Sequence, residues 1–299
     1  MKLEEMKELP QDIPQDVQNR FEIKEVSEPA ATVRQIPETK DKAPPKIKST
    51  KKKQKDEYAI PNRRPGKMPF EIGEVQNFEI TYLGMVAGNF SMTVKPLKML
   101  NDRQVYYFHA SAQSSKMFNL FYRLDDYFES FWDYEGLFSY RFHMVLNQSR
   151  QSRDMLELYD SEKKQVYYWN RRKHIEKGYS ENKEFKPIDR FPQDSISSAY
   201  WIRVIPYEVG KTYTFPMVAE GKNWEAVVTV VRKETVDTPL GKLNAFVLKP
   251  QTKFQGVMSQ NRGDSFIWVS DDDKRYILRI EAKVKVGTVV AHLKSVTHE

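Results

Sequence analysis

From residue 66 onward, apolar and polar side chains alternate with a period of two. Phe78, Ile80 and Tyr82 alternate with Asn77, Glu79 and Thr81. Phe90, Met92 and Val94 alternate with Ser91 and Thr93. Val105–Phe108 and Val166–Trp169 are bulky on both faces, and Val227–Val231, Phe246–Leu248, Phe266–Trp268 and Tyr276–Ile280 continue the series. Short Gly, Asp, Asn and Lys turns separate these runs. The pattern predicts about a dozen strands in an all-β antiparallel barrel or roll.

Two segments break the alternation and predict short helices. Lys116–Tyr122 is apolar without a period of two. Asp194 or Ser195 is positioned to cap a helix running to about Ile205, with Ile196, Tyr200 and Val204 on one stripe.

The pattern nearly repeats at a spacing of about 137 residues. Phe70-Glu71-Ile72-Gly73-Glu74 returns as Tyr207-Glu208-Val209-Gly210-Lys211, and the run from Phe131 to Phe142 aligns with Val269 to Ile280. The expectation is a β domain over 66–299 built from two similar halves, about 66–150 and 205–296, with a helix-containing connector at 185–205.

Residues 1–65 read differently. They hold 8 of the 16 prolines, no glycine and only two aromatics, Phe21 and Tyr58. Such a segment buries too little apolar surface to offset its ordering entropy, so a disordered Pro/Lys-rich tether is expected. The net charge of +7 resolves into −4 over residues 1–41, +7 over 42–65 and +4 over the rest. The basicity therefore sits in the run Lys46, Lys48, Lys51, Lys52, Lys53 and Lys55, either a solvated tether or an electrostatic anchor to an anionic surface. A β domain of +4 with Thr, Ser and Glu between its aromatics does not argue for nucleic-acid binding.

The chain has no cysteine, which removes disulfides, thiolate metal sites and cysteine nucleophiles. No apolar run is long enough for a transmembrane helix, and no signal peptide is visible. The five histidines lack metal-ligand spacing, and no nucleophile elbow or phosphate loop occurs. No metal, cofactor or catalytic residue is assigned. Asp126 and Glu129 are the carboxylates a hydrolase of envelope polysaccharide would use, or else they form a structural pair with Arg123 or Arg141. Asp271–Asp273 reads as a turn.

The remaining signal is aromatic. The 36 rings in residues 66–299 either fill the core or line a pocket. Candidate ligand-binding residues are Tyr106, Tyr127, Trp132, Arg141, Trp268 and Arg279.

Four stretches carry a family resemblance. They are Phe70–Glu74 running into Tyr82–Gly88, Leu120–Asp126 leading to Glu129-Ser130, Thr238–Lys242, and Trp268–Asp272 with Arg279–Lys283 and Val286–Thr288. Over about residues 66–296 the chain resembles the bacterial family named domain of unknown function 3108. The resemblance implies an exported protein of the periplasm or cell envelope with a barrel-like all-β fold, and it brings no established activity. The expected function is a non-enzymatic, tethered β domain that binds a lipid, a glycan or an envelope protein. The alternatives are the polysaccharide hydrolase and a structural scaffold that recruits partners.

Overall fold

The computed structural model describes residues 10, 13–26, 58–254, 257–258 and 264–299. The basic run at Lys46–Lys55 lies outside the described residues.

Among the described residues, sixteen strands form one antiparallel sheet. In chain order they are β1 (Ile23–Glu25), β2 (Glu74–Tyr82), β3 (Met85–Leu100), β4 (Arg103–Ser114), β5 (Leu124–Asp133), β6 (Ser139–Gln148), β7 (Gln151–Asp160) and β8 (Gln165–His174). They continue with β9 (Gly178–Pro187), β10 (Thr212–Ala219), β11 (Lys222–Thr238), β12 (Gly241–Phe254), β13 (Val257–Met258), β14 (Phe266–Ser270), β15 (Ile277–Lys283) and β16 (Thr288–His298). The helices are α1 (Gln15–Arg20) and α2 (Ser195–Val204). The antiparallel all-β roll expected from the alternation is present, with more strands than the dozen counted.

The spatial order is β10-β11-β12-β14-β15-β16-β2-β3-β4-β5-β6-β7-β8-β9. The last strand thus pairs with β2, with Leu293 opposite Phe78. Tight hairpins set the register. Leu83-Gly84 and Glu220-Gly221 have positive φ at both central positions, the geometry whose twist matches two right-twisted strands.

The two edge strands, β9 and β10, are consecutive in the chain but do not pair with each other. α2 connects them. Asp194 caps it, its carboxylate accepting from the main-chain N–H of Ile196 and Ser197 at 2.7 and 2.8 Å. Extended Ile205 before Pro206 ends it. Burial pushes the Asp194 carboxyl upward, and the hydroxyls of Ser130 and Ser139 complete its donor set. The stretch Lys116–Tyr122 contains only a single 3-10 turn, Phe118–Leu120, rather than the expected helix.

Three apolar clusters hold the roll. The largest joins one face of the sheet to α2, where Tyr200 stacks on Phe108 with centroids 3.6 Å apart. A second lies on the opposite face of β4–β8, where Val17 and Phe21 of the α1 region cover Leu156, Leu158 and Trp169. The third packs Ile202, Ile205 and Tyr207 on Phe246 and Leu248. The second cluster corrects the expectation for part of residues 1–65. Residues 15–25 form a helix and a strand against the sheet, because Val17, Phe21 and Ile23 supply apolar contacts that overall composition conceals.

Candidate functional site

Successive residues of a strand point to opposite faces, so one face of β4–β8 gathers Tyr107, Tyr127, Glu129, Arg141, His143 and Asp154. His143 is the hub. Its Nε2 lies 2.7 Å from Asp154 Oδ1, and its Nδ1 lies 3.7 Å from Glu129 Oε2. Burial disfavours the imidazolium, but the hydrogen bond with Asp154 and the nearby Glu129 carboxylate outweigh it and hold the His143 pKa above the ordinary value. Burial alone would raise Glu129. The close approach of His143, the hydrogen bond from Tyr107 and the neighbouring Tyr127 hydroxyl instead bring it down to about 2. Arg171 pairs with Asp154 at 3.0 Å.

Arg141 lies beside this network and feels the charge of Glu129, but it does not join its hydrogen bonds. It is 8% exposed, yet it makes no hydrogen bond or ion pair among the described residues. Its guanidinium lies 5.8 Å from the centroid of the Phe131 ring, and burial lowers its pKa. It forms part of the wall of a cavity of about 440 Å³ between the α1–β1 segment and the sheet. Ile13, Phe21, Ile23, Leu156 and Leu158 give that cavity its apolar walls, and exposed Gln15, Gln18 and Asn19 stand on the solvent side. Glu22, which also lines it, is turned to Lys24 at 3.4 Å. A buried guanidinium with its hydrogen-bonding capacity unused is costly unless an anion completes it. The volume falls in the range of small-molecule sites, roughly 300–1,000 Å³.

The other sequence candidates fall elsewhere. Tyr106 and Trp132 are core residues, with Trp132 donating its indole N–H to Gln193 Oε1 at 2.7 Å. Tyr127 shares the face of Arg141 and is spent on Glu129. In the second half, Arg279 lies over the Trp268 ring at 4.8 Å and pairs with Glu281, while Trp268 donates to Glu234 at 2.5 Å. The six residues therefore do not converge on one site. Side-chain identity named them, but strand register distributes them over different faces and strands.

Asp126 and Glu129 are three positions apart on β5 and point to opposite faces, so they cannot flank one glycosidic bond. Neither forms the arginine pair expected from the sequence. Asp126 accepts from Asn147 N at 3.1 Å and Gln148 Nε2 at 2.6 Å. In the acidic turn, Asp272 Oδ1 accepts from Ser270 Oγ and from the N–H of Lys274 and Arg275, which is turn geometry. Among the described residues no group of three or more His, Asp or Glu is disposed to hold a metal ion.

A larger groove of about 570 Å³ opens at the seam between β9 and the β10–β11 hairpin. Phe215, Trp224 and Phe254 supply its rings, and Asp189, Asn223 and Lys222 its polar groups. The Trp224 indole N–H is buried without a hydrogen-bond partner among the described residues, its ring 4.9 Å from Phe254. Sequence reasoning missed this groove, because residues from distant turns meet there only when the sheet curls. The contact between Gly221 N and Glu157 Oε1, 2.6 Å long, is one that pins the seam.

A family model described as a protein of unknown function (DUF3108) matches residues 77–294. No curated protein matches the chain in sequence. Among solved structures, the chain is similar to a β-barrel-like protein of domain of unknown function DUF1849 from Brucella abortus. That similarity has 8% identity and a TM-score of 0.48, covering 76% of this chain and 98% of the other. It is also similar to a candidate lipoprotein from Parabacteroides distasonis, at 11% identity and TM-score 0.35 over 77% and 97% of the two chains. A candidate exported protein with a YmcC-like fold from Bacteroides fragilis matches at 12% identity and TM-score 0.35, over 77% and 98%.

Proposed function

The chain belongs to the DUF3108 family of proteins of unknown function, and from that premise we propose that it is a non-enzymatic cell-envelope protein whose β domain binds a single-chain anionic amphiphile. The envelope location rests on the resemblance read from residues 66–296. One observation carries the ligand class: Arg141, buried and without a hydrogen bond or ion pair among the described residues, beside apolar walls. A carboxylate or phosphate head would take the guanidinium fork, and the chain would lie along Phe21, Leu156 and Leu158. The hydrolase reading loses its support, because its two carboxylates sit on opposite faces and both are engaged in structural hydrogen bonds.

The test is binding of dodecanoate, dodecyl phosphate and dodecanol, read by calorimetry. The acids should bind and the alcohol should bind at least tenfold more weakly. Arg141→Met should abolish the difference. Equal affinity for acid and alcohol in the native protein would sink the reading.

A second reading places a glycan in the seam groove. The unpartnered indole N–H of Trp224, beside the Phe254 ring and the Asp189 and Asn223 side chains, favours it. Retarded migration in gels containing lipopolysaccharide or peptidoglycan fragments, lost in Trp224→Ala, would support it. Migration unchanged by the fragments would dismiss it.

A further inference from the structure

Antiparallel neighbours place alternate turns at one end of the sheet, and there the turns 83–84, 115–123, 149–150 and 284–287 stand side by side. They touch in sequence around the rim. The Tyr82 hydroxyl donates to Val286 O at 2.8 Å, and Ser115 N and Oγ donate to Ala87 O at 2.8 Å and Val86 O at 2.9 Å. Ser149 N donates to Arg123 O at 3.0 Å, and Ile175 N donates to Arg150 O at 3.1 Å.

This continuous rim presents large apolar side chains to solvent. Leu83 is 59% exposed, Leu120 82%, Phe121 80% and Val286 62%, with Val86 and Met117 beside them. An isolated exposed leucine needs no explanation, but a contiguous set at adjoining hairpin tips marks a contact surface. The cations of the same turns and their flanks are Lys116, Arg123, Arg150, Lys283 and Lys285, and none forms an ion pair among the described residues. The acids of this rim are Glu176, on the next turn, and Asp125, which flanks Arg123 and accepts from Gln113 Nε2 at 3.1 Å. The opposite end is different: its turns carry Asp160, Glu162 and Asp271–Asp273, each paired with a neighbouring cation or held in turn hydrogen bonds. The two ends therefore differ: apolar tips with unpaired cations stand at one, and acids already engaged by cations or turn amides stand at the other.

We infer that this rim docks on the surface of an anionic phospholipid bilayer, with Leu83, Leu120, Phe121 and Val286 entering the headgroup region and the lysines and arginines meeting lipid phosphates. Charge complementarity selects the bilayer over a second copy of the chain. Two such cationic rims would repel each other, whereas an anionic membrane attracts every free cation of the rim and accommodates apolar tips between its headgroups. The acids of the other end are already engaged within the chain, which argues equally against head-to-tail association. The inference stands on residues separate from the Arg141 cavity and does not depend on it.

Co-sedimentation of the full chain with vesicles tests it. Vesicles of phosphatidylcholine mixed with phosphatidylglycerol should retain the protein, and phosphatidylcholine alone should retain at least tenfold less. Raising the salt concentration should release it. Leu120→Asp with Phe121→Asp should lower retention at least tenfold, and Lys116→Glu with Arg123→Glu should do so to a similar degree. All four positions are solvent-facing or on turns, so circular dichroism should be unchanged. The Leu120→Asp and Phe121→Asp variant should still bind dodecanoate, and Arg141→Met should still bind vesicles, which separates this inference from the ligand reading. No retention of the native protein, or equal retention of the double variants, would overturn it. So would a native dimer in solution that the Phe121 substitution dissociates, since that assigns the rim to a second copy of the chain.

Discussion

Arg203 of α2 forms an ion pair with Glu74 of β2, Nη1 to Oε1 at 2.6 Å, with both side chains excluded from solvent. The same guanidinium donates to the carbonyls of Pro69, Lys274 and Arg275 at 2.8–3.0 Å. One side chain thus ties the helix to the entry of β2 and to the acidic turn before β15. Each of its three guanidinium nitrogens donates, which makes Arg203 the opposite of Arg141.

Arg203→Met should therefore cost about 3–5 kcal/mol, because Glu74 is left as an uncompensated buried charge. Adding Glu74→Leu should restore part of the loss. Urea unfolding of the single and double variants measures both, and a loss under about 1 kcal/mol would assign the pair to the exposed class.

Glu157 predicts a pH dependence of stability. It is fully buried, and burial raises its pKa to about 7, against the ordinary 4.5, despite hydrogen bonds from Tyr159 and Gly221 N. Between pH 4.5 and about 7 the folded protein keeps a proton that the unfolded chain has lost. Stability from this group therefore falls as pH rises through that window and is flat above it. Glu157→Gln should match the native protein near pH 4 and exceed it near pH 8 by on the order of 3 kcal/mol. Melting temperatures across that range check it, and a variant less stable than the native protein at pH 8 would contradict it.

Phe21, at 5% exposure, sits in the cluster that covers Leu156 and Trp169. Phe21→Ala should lower stability by about 3–5 kcal/mol, the value of a core phenylalanine. A residue on a free tether would change it by less than about 0.5 kcal/mol. Calorimetric melting separates the two.

We propose that the two halves are structural repeats. Gly73 and Gly210 support this: their φ values are +88 and +86, and their amides donate to Val94 O at 2.7 Å and Val230 O at 2.8 Å. The register shift near Phe131/Trp132 also has a counterpart at Trp268/Val269. Their surroundings differ. A Cβ at Gly210 meets nothing within 4 Å, whereas at Gly73 it would lie 2.7 Å from Glu299 O. Gly210→Ala should cost only the left-handed strain, about 1–2 kcal/mol, and Gly73→Ala more. Equal losses on chemical denaturation would show that the contact with Glu299 relaxes freely.

The sequence by itself determined the local elements. Alternation and turn residues mark the strands, and Asp194 with the apolar stripe of Ile196 and Tyr200 marks α2, because caps and periodicity are written within a few residues. The apolar run at Lys116–Tyr122 misled. Its side chains serve an exposed rim rather than a helix face, and hydrophobicity alone does not say whether a residue is buried. The tertiary structure decided everything that depends on strand register and on which distant segments meet. A shift of one position moves a side chain to the other face. Hence Asp126 and Glu129 part, Tyr106 and Trp132 enter the core, and Arg141 faces the cavity roofed by residues 13–23. The seam groove and the pairing of β16 with β2 arise only when the whole sheet curls, bringing together residues that no local pattern relates.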